Sequence, residues 1–89
     1  MPEAAWSLSA TQLAQRLADG RLSSRDAVEA HLARIDALDP QLRAFTSVLA
    51  TEARAEATAR DTERAEGKVR GPLHGLPVTL KECFDLEGL

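Results

Sequence analysis

Val69-Arg70-Gly71-Pro72-Leu73-His74-Gly75-Leu76-Pro77-Val78-Thr79-Leu80-Lys81-Glu82-Cys83-Phe84-Asp85-Leu86-Glu87-Gly88-Leu89 differs in character from everything before it. Gly71-Pro72, Gly75 and Pro77 punctuate a loop. Val78, Thr79 and Leu80 then make a short β-type run that enters Lys81. Taken alone, a lysine closing an apolar strand is most simply a side chain that lays its stem along the surface and puts its ammonium in water. The weight of the segment comes from the whole ordered series, and from what precedes it.

Working upstream, residues 50–67 are rich in Ala, Glu and Arg, which favour helix. Glu56 and Arg60 stand four apart in the favourable order. Its apolar side is mostly Ala50, Ala53 and Ala57, so the expectation is a solvated surface helix that buries little. Before it, Leu42 to Leu49 holds Phe45, Thr46 and Val48 and reads as a brief strand, with a plain loop as the rival. A helix is expected to start at Ser23 or Ser24, with Asp26 and Glu29 in its first turns. Its stripe is Val28, His31, Leu32, Ile35 and Leu38, and Asp39-Pro40 is expected to end it. Ser9 and Gln12 read as a capping box for a first helix to about Asp19, whose apolar face is Ala10, Leu13, Ala14 and Leu17. Gly20 stands where a helix-ending glycine should, and the short link suggests that the first two helices form a hairpin.

Composition bounds the function. The chain has 89 residues, enough for one small domain. Trp6, Phe45 and Phe84 are its only aromatics, so a core of alanine and leucine would be thin, as in a piece that packs on something else. A net charge of -3 without a basic cluster speaks against nucleic-acid binding. The single cysteine, Cys83, excludes an internal disulfide and a cysteine-rich zinc site. The start, MPEAAWSLSA, carries an acid early and no apolar core of a signal peptide, so a cytoplasmic protein with no membrane association is expected.

The run from Gly71 to Lys81 resembles the opening motif of amidase-signature enzymes, in which a glycine-proline loop leads into a strand ending on the catalytic lysine. Asp85, Gly88 and Leu89 fit the same pattern, as do Ser23-Ser24, Arg34-Ile35, Asp39-Pro40 and Ala44-Phe45 upstream. The resemblance covers about Leu8 to Leu89. Many members continue from the lysine as Lys-Asp-Asn, whereas this chain has Lys81-Glu82-Cys83-Phe84. That variant resembles the fatty-acid amide hydrolase branch and general bacterial amidases. It makes the A subunit of a tRNA-dependent amidotransferase the less favoured alternative.

The resemblance implies an α/β fold: three helices here, plus one or two strands of a mixed sheet completed by residues outside this chain. Residues 1–67 would be mainly helical, and residues 68–89 would carry the loop and the lysine strand of one amidase domain. It implies hydrolysis of a carboxamide C–N bond by a Ser-Ser-Lys triad in which Lys81 is the catalytic residue. The family's glycine- and serine-rich segment, with the nucleophile and a bridging serine, has no counterpart in this sequence. Ser7, Ser9, Ser23 and Ser24 read as termini or caps, and Ser47 lies in no Gly-rich turn. The chain alone is therefore expected to be inactive, with the remainder of the enzyme and a small-molecule amide as its partners. A homodimer of the complete protein stays open, and no cofactor or metal is implied. A truncated inactive product, or a helical interaction module built on Ser9 to Leu38, are the other readings. His74 is read as a loop residue bonded to backbone and His31 as the edge of a helix stripe. Cys83 is read as a buried small side chain, and Glu82 and Asp85 as structural hydrogen-bonding groups.

Overall fold

The computed structural model describes residues 4–45 and 47–79. A turn of 3₁₀ helix, Ala5–Ser7, precedes helices α1 (Ala10–Ala18), α2 (Ser24–Leu42) and α3 (Ala50–Ala65). The starts of α1 and α2 each have a local cause. The Ser9 hydroxyl accepts from the Gln12 N–H while the Gln12 side chain accepts from the Ser9 N–H, so the expected capping box is present. The Ser23 hydroxyl accepts from the Asp26 N–H and caps α2. Gly20 follows α1 with φ +74, as a helix-ending glycine does.

Helix α2 outruns the proline expected to stop it. Pro40 sits in its last turn, and the helix ends at Arg43, which takes the left-handed conformation with φ 51 and ψ 41. There the Asp39 carboxylate accepts from the N–H groups of Ala44 (2.7 Å) and Phe45 (3.2 Å). One side chain thus satisfies the backbone leaving the helix, and the chain turns after the proline rather than before it.

Helices α2 and α3 lie antiparallel. Glu29 pairs with Arg54, and one turn back along α2 the Arg25 guanidinium donates to the Thr58 hydroxyl at 3.1 Å. At the start of α2 the two oxygens of Asp61 accept from the backbone N–H groups of Ser24 (2.6 Å) and Arg25 (3.0 Å). A carboxylate on α3 thereby closes two free donors at the positive end of α2. Ala57 is 2% exposed, and Val28 is buried too. The alanine side of α3, expected to bury little, includes the fully packed Ala57 and lets the two helices approach closely. Helix α1 joins through larger side chains: Leu13 and Leu17 cluster with Ala5 and Ala27, flanked by Leu8, Leu22, Ala30 and Leu76. The Arg34 guanidinium lies 4.1 Å from the centre of the Trp6 ring and ties the N-terminal turn to α2.

The expected α/β class is corrected by this structure. The described residues are helices and loops with no strand among them. Leu42 closes α2 instead of opening a strand, and the N–H groups of Ala44 and Phe45 are taken by Asp39. Val78 and Thr79 lie outside regular structure. β-type residues make a strand only where a neighbouring strand receives their backbone groups, and no described segment offers one. Leu80 and Lys81 lie outside the described residues.

Candidate functional site: the clamped loop ahead of Lys81

The loop from Arg70 to Val78 folds back over α2 and α3 through two successive tight turns. The His74 N–H donates to the Gly71 carbonyl at 3.1 Å, with Pro72 in the second position of the turn, where its fixed φ belongs. The Leu76 N–H donates to the Leu73 carbonyl at 3.0 Å. Gly75 holds the third position of this second turn at φ +83, the region a type II turn asks for there. A side chain at Gly75 would also be crowded: its Cβ would lie 3.1 Å from Ser24 Cβ and 3.3 Å from Ser24 Oγ. The close approach serves a bond, since the Ser24 hydroxyl donates to the Gly75 carbonyl at 2.6 Å.

His74 is the centre of the clamp. It is 5% exposed, and both ring nitrogens are engaged by backbone. The Arg70 N–H donates to Nδ1 at 3.0 Å, and Nε2 stands 2.8 Å from the Arg60 carbonyl, to which it must donate. The partners fix the tautomer: the proton is on Nε2 and the lone pair on Nδ1. The Arg64 guanidinium adds a third tie, donating to the His74 carbonyl at 3.0 Å. A ring so employed is a structural strut, as the sequence suggested, and has no free nitrogen for proton transfer. His31 behaves similarly on α2, its Nδ1 lying 2.7 Å from the Ala27 carbonyl.

Charge surrounds the clamp. Glu63 accepts from Arg70 Nε at 3.0 Å and from Arg70 Nη2 at 2.8 Å. The hydrogen bonds from Arg70, aided by the charge of Arg60, hold the Glu63 carboxyl below its ordinary range, and the same pairing raises the Arg70 guanidinium. Arg60 Nε is 2.9 Å from Glu63 Oε1, yet its N–H is not aimed well enough to bond, and it has no hydrogen-bond partner among the described residues. Farther along the α2–α3 pair, the hydrogen bond from Arg54 lowers Glu29 in the same way.

An open groove runs beside the loop, with Val28 and Ala57 at its base and Leu73, Leu76, Pro77 and Val78 along its edge. Leu73 is 65% and Val78 73% exposed, so the apolar edge is largely uncovered. Among the described residues no cluster of His, Cys, Asp or Glu could hold a metal, and no helix is long and apolar enough to cross a membrane. Lys81, Glu82, Cys83 and Asp85 lie outside the described residues, so the structure gives the approach to Lys81 and not its surroundings.

Two residues of the clamp escape sequence reasoning. Ser23 and Ser24 are interchangeable as caps in the sequence; the structure makes Ser23 the cap and turns Ser24 toward the loop. Asp61 reads as one more surface acid of α3. Its partners stand 36 and 37 residues away, and no local pattern announces such a bond.

The description "Amidase" belongs to the family model that matches residues 26–89. The A subunit of the glutamyl-tRNA(Gln) amidotransferase of Streptomyces avermitilis is 44% identical over 82 residues, 92% of this chain and 16% of that protein. AtzE, a subunit of the 1-carboxybiuret hydrolase of a Pseudomonas species, is 44% identical over 82 residues, 92% of this chain and 18% of its own length. An indoleacetamide hydrolase of Bradyrhizobium diazoefficiens is 43% identical over 83 residues, covering 93% of this chain and 16% of that enzyme. The chain thus spans about a sixth of the length of these relatives. No solved structure matches it.

Proposed function

Because the chain belongs to the amidase family, we propose that it is the N-terminal part of an enzyme cleaving a carboxamide C–N bond, with Lys81 as the catalytic base. The observation that carries this is the unbroken series Gly71-Pro72-Leu73-His74-Gly75-Leu76-Pro77-Val78-Thr79-Leu80-Lys81, inside a segment that matches the family over residues 26–89.

The chemistry needs what a lysine can supply only when neutral. A serine hydroxyl is a weak nucleophile at neutral pH and requires a base. An ordinary lysine is protonated there, but burial among apolar groups disfavours the ammonium and pushes its pKa down. Val78, Leu80 and Phe84 flank Lys81 in sequence and are suited to such an environment. The nucleophile and a bridging serine would come from the rest of the enzyme. The hydroxyl proton passes by way of the bridging serine to Lys81 Nζ as the serine oxygen bonds the amide carbon. Lys81 then returns a proton to the leaving nitrogen as the C–N bond breaks. Water, deprotonated by the same lysine, releases the acid. This is the Ser-His logic with lysine in the place of histidine. The working partners are the remainder of the enzyme and a small-molecule amide, in a cytoplasmic protein.

A second reading has its own support. The relative from Streptomyces avermitilis is named for amide transfer on glutamyl-tRNA, and it is as similar as the two hydrolases. Overall identity therefore does not separate the branches. Assaying the complete protein with glutamine and with simple carboxamides, with and without a glutamyl-tRNA acceptor, distinguishes them. In either case Lys81→Ala in the complete enzyme is expected to abolish acylation while leaving the protein folded. Turnover near wild type would refute the assignment.

A further inference from the structure

Resting on the catalytic reading of Lys81, we infer that His74 and Ser24 are positioning residues, which lock the Gly71–Gly75 turns onto α2 and α3 and so fix where the chain sets out toward that lysine. Four hydrogen bonds converge on two consecutive residues. The His74 ring bridges the Arg70 N–H and the Arg60 carbonyl, Arg64 holds the His74 carbonyl, and the Ser24 hydroxyl holds the Gly75 carbonyl. Ser24 is itself fixed, because its N–H donates to Asp61 across the helix pair. The charged groups around the clamp are Glu56, Arg60, Asp61, Glu63 and Arg64 on α3, Arg70 in the loop and Arg25 at the start of α2.

Leu76 packs against the core cluster, and Pro77 has its φ set by its ring. Only Val78, Thr79 and Leu80 separate these held positions from Lys81. A displacement of the turn moves the start of this three-residue lead to the lysine. A proton acceptor tolerates such movement poorly: a 1 Å misplacement can cost about a hundredfold in rate.

The test compares His74→Gln, His74→Asn and Ser24→Ala with wild type and Lys81→Ala, all in the complete enzyme. Gln keeps a donor for the Arg60 carbonyl, and Asn keeps an acceptor for the Arg70 N–H, so each breaks half of the bridge. They are milder than His74→Ala should that variant not fold. For each, kcat and KM are measured per mole of folded monodisperse protein, together with melting temperature and the pH profile of kcat/KM. The expected result is a fall of about tenfold to a hundredfold in kcat with KM unchanged, as for an interaction felt only in the transition state. The acid limb of the profile should also move to higher pH, because a base shifted from its apolar site approaches an ordinary lysine. Lower melting temperature with unchanged kcat and an unchanged acid limb would overturn the inference and leave the clamp a matter of stability alone. Lys81→Ala reports separately on the reading beneath it: if that variant turns over like wild type, the base assignment fails whatever the clamp variants do.

Discussion

Replacing Gly75 by alanine isolates the central contact of the loop, and its cost can be worked from the structure. Two effects add. Gly75 has φ +83, where an L-residue pays about 1–2 kcal/mol for the conformation alone. The new Cβ would also meet Ser24 Cβ at 3.1 Å and Ser24 Oγ at 3.3 Å. Both atoms belong to a buried side chain at the start of a helix that Asp61 holds, so they give way poorly. Relief would come by lifting the turn and losing the bond from Ser24 Oγ to the Gly75 carbonyl, worth about 1 kcal/mol net. The sum is roughly 2–3 kcal/mol. Gly20 is the internal control, with φ +74 and nothing within 4 Å of a Cβ, so Gly20→Ala should pay only the conformational part. Amide hydrogen exchange on the complete protein, read peptide by peptide, measures local opening of each site. Exchange over residues 69–79 should quicken by about thirty to a hundredfold or more in Gly75→Ala, and the residues around Gly20 by about five to thirtyfold in Gly20→Ala. Equal acceleration in the two variants would show that the approach of Ser24 to the loop carries no energy and would refute the clamp as described.

Two further predictions concern the same framework. Asp61→Ala removes both acceptors from the first N–H groups of α2, and a loss of about 1 kcal/mol is expected, as for other lost helix caps; an unchanged urea midpoint for the unfolding phase of this region would contradict it. Glu63 has its carboxyl lowered by the hydrogen bonds from Arg70, so its stabilising pairing is fully present above the ordinary value of 4.5 and is lost as pH falls through the lower folded value. The difference in loop protection between wild type and Glu63→Gln should therefore be largest near neutrality and shrink under acid, and a difference that grew as pH fell would reverse the sign of the pairing.

Legible and hidden features of this chain divide by the range of the interactions. The capping box of Ser9 and Gln12, the cap at Ser23 and the turn at Gly20 each depend on residues within four positions, and each appears as its pattern suggests. The backbone role of His74 is also legible, because a histidine between Gly71-Pro72 and Gly75 has backbone as its nearest company. Strands are misjudged because β-type side chains report a preference for a partnered surface and say nothing of whether a partner exists. Pro40 is misjudged because the rule that a helix ends before proline takes no account of Asp39, whose carboxylate satisfies the backbone beyond it. The bonds from Ser24 to Gly75 and from Asp61 to Ser24 span 51 and 37 residues, and only the folded hairpin brings them together.

The even similarity of this segment to differently named relatives fits its structure. Identities of 44%, 44% and 43% to components of an amidotransferase and of a carboxybiuret hydrolase, and to an indoleacetamide hydrolase, give no branch the advantage. Those proteins are named for different reactions, one for amide transfer and two for hydrolysis. On the proposed reading this segment carries the base, and its demands are geometric: a loop tied to two helices, a glycine that admits Ser24, and a short lead to the lysine. Nothing in these demands refers to the group attached to the amide. The apolar edge left open at Leu73 and Val78 points the same way, since side chains exposed beside the lysine-bearing segment suit burial against the rest of the enzyme better than selection of a ligand. The proposed reading therefore puts substrate choice outside residues 4–79, and a change of substrate specificity caused by altering these residues without altering the position of Lys81 would run against it.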